Sequence, residues 1–396
     1  MKKKIPLGVA IALMMIIASV SITVSHVFSL NHFNRQYANV ERMQSIYSRL
    51  AEIDSRVSQS FLNEVDTDAV MDGIARGYIS ALGDRWATYM SREEYRLSQQ
   101  ATSGHRVGIG ITINRDVDSE YIYVTRVMAG SPAYEAGIQS GDLIVEVAGQ
   151  NVNDIGYFEA VDAILGDEGT VASFVVRRGE ELIPFNIERR EHVIISVFHN
   201  MIGNIGYIKI TDFADNTPEQ FSQAIEELQS AGAVGLVFDV RNNGGGTLNA
   251  VEEMLDKLLP AGVVVTAEFT GGEVREVFAS SANREVDMPM AVVTNGSSAS
   301  ASELFAAAIR EMGDGILVGE RTYGKGVMQQ TFVLSDNSAI RFTVARFRPP
   351  SGVSFDEIGI YPDIEVSLTE EDLRYFHRLT PEQDPQIMVA VEALQS

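Results

Sequence analysis

Between Asn295 and Gln330 the chain reads NGSSASASELFAAAIREMGDGILVGERTYGKGVMQQ. A cluster of hydroxyls opens an apolar helical pattern, and twenty-five residues after Ser300 a lysine stands between two glycines, Gly324-Lys325-Gly326. A serine hydroxyl attacks a carbonyl only when a base takes its proton. Lysine can be that base if it is neutral, and because its ordinary pKa is about 10.4, removal from water must lower it. Lys325 has apolar neighbours for this: Ile316, Leu317 and Val318 precede it, Val327 and Met328 follow it, and no acid lies within four residues. The flanking glycines let the backbone approach another strand closely. The chemistry this spacing allows is hydrolysis by a serine and a lysine.

Both residues also have plainer readings. Ser300 and Glu303 fit a capping box, with Ser300 at the N-cap and Glu303 at N3. That reading is compatible with attack, because a helix N-terminus presents free N–H groups to developing negative charge. A solvated loop is the plain alternative for Lys325. Ser297, Ser298 and Ser302 resemble Ser300 in local composition, which by itself does not choose among them.

The elements that must position these groups are legible on either side. Leu236 to Val240 is a short apolar run, expected to be a buried strand. Arg241-Asn242-Asn243-Gly244-Gly245-Gly246 follows, and then a helical pattern from Leu248 to Leu259. A strand, a glycine turn and a helix start bring backbone N–H groups to the end of a sheet, which suits an oxyanion hole. Upstream, Gly104 to Arg190 reads as a separate β-rich module. It has a glycine turn entering a strand at Val107 to Ile113, and further strands at Tyr121 to Val127, Val171 to Arg177 and Leu182 to Ile187. Phe158 to Leu165 has helical spacing. From Asn31 to Gln100 the pattern is mainly helical, with Ile46, Leu50, Ile53, Val57 and Phe61 at three- and four-residue steps.

Taken together these motifs resemble the C-terminal processing peptidases, also called tail-specific proteases. The shared blocks are Asp239 to Gly246, with Gly244 where proline is common, Ser298 to Glu303, Gly319 to Gln329, and Gly359 to Asp363; Asp384-Pro385-Gln386 stands near the end. The resemblance implies Ser300 as nucleophile, Lys325 as general base and Gln329 as the residue that orients the lysine, one helical turn on if that segment coils. It implies oxyanion donors from the backbone N–H groups of Ala301 and of the Gly245-Gly246 turn. The upstream module resembles a PDZ domain, through Gly130-Ser131-Pro132-Ala133 and Gly141-Asp142-Leu143-Ile144 as well as its glycine turn. Such domains add a peptide as a sheet strand and hold its terminal carboxylate in backbone N–H groups, here Gly108, Ile109, Gly110 and Ile111. One position departs from the pattern: Leu165 stands where many relatives have arginine, so the coupling of peptide loading to activity is not carried over. Leu82-Gly83-Asp84-Arg85-Trp86 is a variant of a Leu-Asp-Pro turn, with Trp86, the single tryptophan, expected in the core.

The expected fold is α/β and multidomain: a cytoplasmic tip and membrane anchor over 1–30, a helical region over 31–103, an inserted PDZ domain over 104–190, a mixed α/β protease core over 191–369 and a helical end over 370–396. Lys2, Lys3 and Lys4 precede an uncharged run from Ile5 to Leu30, long enough for a bilayer, which needs roughly 20 apolar residues. Positive charge stays on the cytoplasmic side, so the rest should face outward; secretion after signal cleavage is the alternative. The absence of cysteine excludes a thiol protease and a disulfide framework. A net charge of −23 disfavours nucleic acid as a partner. No HExxH and no phosphate-binding GxxxxGKS motif occurs, so no metal and no cofactor is expected. The expected partners are peptides with free C-termini and the membrane. A homodimer is also among them, with residues 370–394 packing on the core or on a second subunit, as is a regulatory protein. The competing readings are a non-catalytic PDZ scaffold on a protease-like fold, and a protease held inactive until a partner or substrate opens it.

Overall fold

The computed structural model describes residues 40, 42–281 and 284–395. The chain divides into a short unit, 1–71, and a large one, 72–396. In the short unit the described residues form a helix over 42–60. Its apolar stripe is only half satisfied: Ile46, Leu50 and Val57 are half-buried, while Ile53 and Phe61 are exposed. The tip and the apolar run of residues 5–30 lie outside the described residues. Among the described residues no helix is long and apolar enough to cross a membrane.

In the large unit, two short strands, His105–Gly108 and Arg190–Val193, pair antiparallel. The β-rich module therefore enters and leaves through one two-stranded neck. Between them runs a sheet in the order Ile111–Arg115, Ile122–Val127, Leu143–Val147, Val171–Arg178, Glu181–Glu188. Alternate residues Ala172, Phe174 and Val176 point into its core with Ile122, Val124 and Ile144, which is the period-two burial of a sheet with one covered face. The helix Tyr157–Ile164 closes one side of this core through Ala160 and Ile164.

The second body is a six-stranded sheet in the order Val197–Ile202, Ile205–Ile210, Leu236–Asp239, Met290–Thr294, Ile316–Gly319, Ile364–Glu365. The first pair is antiparallel and the rest are parallel. Leu236–Asp239 and Met290–Thr294 are buried on both faces, which explains why their sequences are continuous apolar runs rather than alternations. Phe238 and Val292 face one layer, with Phe221, Met254 and Phe305 from the helices Thr217–Ser230, Leu248–Asp256 and Ala301–Met312. Val237 and Val293 face the other, covered by Ile387, Ala390 and Val391 of the helix Pro385–Gln395. The chain's end thus packs on its own core. A further sheet, centred on the strand Ala339–Arg348, takes Val327–Val333 on one side and Gly262–Phe269 on the other, and also pairs with Thr88–Met90. Thr88–Met90 is a strand within a region whose spacing reads as helix.

A buried ionic cluster fixes the C-terminal helix to the sheet. Arg241 donates to both oxygens of Asp239, at 2.9 and 2.8 Å, and lies 2.8 Å from Asp384. Tyr207 donates to Asp239 at 2.8 Å. Burial alone would push the Asp239 carboxyl up, but the charge and hydrogen bonds of Arg241 outweigh it and bring it down to about 2. Removing the guanidinium would strand two buried carboxylates, and breaking such a pair costs about 3–5 kcal/mol. Arg241→Leu is therefore expected to lower the urea unfolding free energy by that amount. An unchanged midpoint and slope would show that the cluster does not hold the fold.

Candidate active site

Three neighbouring parallel strands, Leu236–Asp239, Met290–Thr294 and Ile316–Gly319, end on the same edge of the sheet. Each is followed by one of the loops whose residue types suggested chemistry. The carboxyl ends of parallel strands are where open α/β sheets gather their sites, so the topology brings together what lies up to eighty residues apart in sequence.

The first loop is the glycine turn. Gly245 has φ 107°, and a Cβ there would lie 2.9 Å from Ala299 O and 2.9 Å from Ser300 Cβ. A Cβ on Gly246 would lie 2.3 Å from Phe213 O. Glycine is required at both by close approach as much as by conformation. The N–H of Gly245 is committed to Asn243 Oδ1 at 2.9 Å. The N–H of Gly246 has no acceptor among the described residues; the bridge to Phe213 uses Gly245 O and the Thr247 N–H instead.

The second loop carries the serines, and their surroundings separate them. Ser298 and Ser302 are fully buried, and their hydroxyls donate to the carbonyls of Val240 at 2.8 Å and Asn243 at 2.9 Å. They staple this loop to the glycine turn. Ser297 is exposed. Ser300 sits at the helix N-cap with φ 57° and ψ −113°, outside the ordinary regions for a side-chain-bearing residue, the kind of strain that clusters at working sites. Its hydroxyl makes no capping bond. The capping function falls to the main chain, with the Glu303 N–H donating to Ser300 O at 2.9 Å. The N–H of Ala301, next in line, has no acceptor among the described residues.

The third loop holds Lys325. A Cβ on Gly324 would meet Gly359 N at 2.9 Å, and one on Gly326 would meet Asp356 N at 2.6 Å. The close approach expected of these glycines is real, but its partner is the 356–359 loop and not a strand. Lys325 is half-buried. Burial pushes its ammonium below the usual lysine range, and the charges of Arg341 and Arg85 push it further the same way. Nζ lies 4.3 Å from the centroid of the Trp86 ring, and Arg85 lies 4.7 Å from the same ring. Trp86, expected in the core from its size, is instead half-exposed against the lysine. Gln329 lies in the strand Val327–Val333, so the helical turn considered for it does not form; its Nε2 donates to Trp86 O at 2.7 Å.

One carboxylate joins the second and third loops. Glu303 is fully buried. Its Oε2 accepts the N–H of Ser300 at 2.9 Å and the N–H of Lys325 at 2.8 Å. Its Oε1 accepts the Thr322 hydroxyl at 2.5 Å and the Gly324 N–H at 2.7 Å. Because a single oxygen bonds both main chains, Ser300 and Lys325 cannot be far apart. Burial pushes the Glu303 carboxyl up, and these four donors pull it back. Sequence pattern identifies Glu303 as a capping acid only; its bonds to Gly324 and Lys325 bridge some twenty residues and leave no local signal.

Two cavities border these loops. One, of about 430 Å3, is lined by Ser300, Gly246, Gln329, Arg341 and Asp212 among others. The second, of about 1010 Å3, is lined by Gly108, Ile109, Gly110 and Ile111 on the module and by Phe198 and Tyr207 on the core. Asp212 lines both. Gly110 has φ 79°, and a Cβ on it would lie 2.2 Å from Ser131 Cβ, so the turn needs glycine. The adjoining helix end beside Leu165 is held by Arg189, which donates to Ala163 O and Ile164 O at 2.8 and 2.9 Å. Nothing in the motif pattern singles out that arginine.

This fold and site are those of a serine peptidase with a PDZ domain, and the comparisons agree. Residues 204–366 match the model of peptidase family S41, and residues 123–178 match a PDZ domain model. The chain is 31% identical over 329 residues to the carboxy-terminal processing protease CtpA of Bacillus subtilis, covering 82% of this chain and 70% of that protein. It is 29% identical over 364 residues to a probable CtpA-like serine protease of Staphylococcus epidermidis, covering 91% and 72%. Among solved structures, the photosystem II D1 C-terminal processing protease matches with a TM-score of 0.51 at 28% identity, over 82% of this chain and 90% of that one. A putative S41 protease from Bacteroides fragilis, at 16% identity and a TM-score of 0.59 over 81% and 90%, shares the fold. The chain belongs to peptidase family S41.

Glu303→Gln tests the joint between the loops. The amide nitrogen would face main-chain donors, leaving at least one without an acceptor, at about 1–3 kcal/mol each. Thermal and urea unfolding of the full chain should show a loss of that size or more. Stability equal to the parent would mean that the carboxylate does not carry the two loops.

Proposed function

We propose that the chain is a C-terminal processing endopeptidase that works with Ser300 and Lys325. The observation that carries this reading is the Glu303 oxygen bonded to the N–H groups of both residues. Ser300 Oγ attacks the scissile carbonyl carbon and Lys325 Nζ takes its proton. The oxyanion forms against the N–H groups of Ala301 and Gly246. Gly245 contributes shape rather than a donor, since its own N–H is engaged with Asn243. Lys325 then protonates the leaving amine, and water admitted to the acyl-enzyme loses its proton to the same lysine. Gln329, with its amide nitrogen bonded to Trp86 O, keeps its carbonyl oxygen for the ammonium.

Substrates reach Ser300 from the PDZ side. The terminal carboxylate sits at Gly108 to Ile111, and the chain upstream of it passes Asp212 into the Ser300 cavity. Asp212, which lines both cavities, supports this route, as do the relatives named for carboxy-terminal processing. The position of Lys325 Nζ over Trp86 favours a resting form in which the lysine must leave the indole before it takes a proton. Residues 5–30 are proposed as an uncleaved anchor with Lys2 to Lys4 in the cytoplasm and the protease outside; a shorter secreted form is the alternative.

Ser300→Ala and Lys325→Ala should each abolish cleavage of an unstructured protein with a free C-terminus, with losses of at least about 10²–10⁴-fold from the missing base alone. Peptide binding should survive in both. Lys325 works only when neutral and its folded pKa is depressed, so activity should climb with pH below the ordinary lysine range and then level off. Near-parental rates in either variant would overturn the assignment, as would a profile that falls over that range while the fold persists.

A further inference from the structure

The strand Ala339–Arg348 carries three arginines, and two are paired: Arg346 lies 3.6 Å from Asp356, and Arg348 forms an ion pair with Glu268. Arg341 is different. Its Nε is buried without a hydrogen-bond partner, and no ion pair among the described residues includes it. It lines the Ser300 cavity together with Gln329 and Thr331. Register puts it between Thr88 and Thr331 in the middle of a sheet, so it is held on both sides.

Two of the nearby acids are already engaged. Asp84 accepts the Thr343 N–H, the Thr343 hydroxyl and the Trp86 N–H. Glu303 accepts four donors. Asp212, on the cavity wall, makes no ion pair among the described residues, and the cation that acts on it is Arg106. Arg341 lines the cavity that Ser300 lines, and its charge, with that of Arg85, bears on Lys325, in a chain whose net charge is −23. A buried polar group without a partner is rare enough to need an explanation, and a guanidinium presents a fork that matches a carboxylate.

We propose that Arg341 receives a carboxylate of the substrate inside the Ser300 cavity. It thereby sets a preference for negative charge at a fixed distance from the cleaved bond. This deepens the reading of Ser300 as the reacting group, on which it rests. The carboxylate is that of an acidic side chain, since the terminus is assigned to Gly108 to Ile111, and the titrations below check this against binding of the terminus. Arg341 is a specificity residue here and not a catalytic one.

The test uses the full chain with Ser300→Ala, so that binding is read without turnover. The probes are a set of otherwise neutral peptides in which one Glu moves along the sequence, each with its Gln counterpart, titrated by calorimetry. At one position Glu should bind about tenfold more tightly than Gln. The gain should vanish with Arg341→Gln and survive in part with Arg341→Lys, which keeps the charge but loses the fork. Repeating the titration with amidated peptides checks the source: a gain that persists belongs to the side chain, and an Arg341-dependent affinity that disappears belongs to the terminus and overturns the proposal. Equal binding of all Glu and Gln pairs overturns it, as does a Glu preference unchanged in Arg341→Gln. Wild-type cleavage of the same peptides is followed in parallel. Failure to cut would count against the reading of Ser300 and leave the binding result to decide the role of Arg341.

Discussion

The site depends on one carboxylate. Glu303, buried at the start of a helix, accepts the main-chain N–H groups of Ser300 and Lys325 on a single oxygen. A buried carboxylate is costly to leave unpaired, yet this one makes no ion pair among the described residues. Four neutral donors satisfy it, three of them main-chain N–H groups. Neutral donors spread the charge over the two loops that carry Ser300 and Lys325. The capping bond is made by Ser300 O to the Glu303 N–H rather than by the Ser300 hydroxyl, and the Ala301 N–H has no acceptor among the described residues.

The rest of the architecture serves that joint. Parallel strands deliver three loops to one edge, and Ser298 and Ser302 pin the serine loop to the glycine turn. The C-terminal helix returns to the sheet through Arg241, the first residue of that turn, so the far end of the chain holds the glycine turn in place. The segment before the PDZ domain contributes Trp86 and a strand beside Arg341. The PDZ domain, joined by its two-stranded neck, shares with the core a cavity that Asp212 also lines. Membership of family S41 rests on similarity along most of the chain.

Much of this was legible in the residues. Leu236 to Val240 announces a strand covered on both faces because no polar residue interrupts it until Asp239. Gly245, Gly246, Gly324 and Gly326 announce close approaches, although composition does not say what they approach. The PDZ strands show their period-two alternation within a residue or two of their observed ends. What sequence could not give is the long-range polar pairing. Glu303 looks like a local cap, and its second partner set is invisible at i+21. Gln329 looks one helical turn from Lys325, but β-branched and aromatic neighbours in a paired strand decide otherwise. Trp86 looks like core by size, but besides the adjacent Arg85 its ring meets Lys325, more than two hundred positions away. Arg341 and Arg189 carry no motif at all and are recognised only by what surrounds them.

The central claim is that Ser300 reacts because Lys325 is held beside it and kept neutral. Mass spectrometry of the full chain after exposure to a fluorophosphonate, at a series of pH values, tests this most directly. The account predicts a single adduct on Ser300, forming faster as pH rises and lost when Lys325 is replaced by alanine. An adduct on Ser297, Ser298 or Ser302, or equal labelling of Ser300 without Lys325, would contradict it.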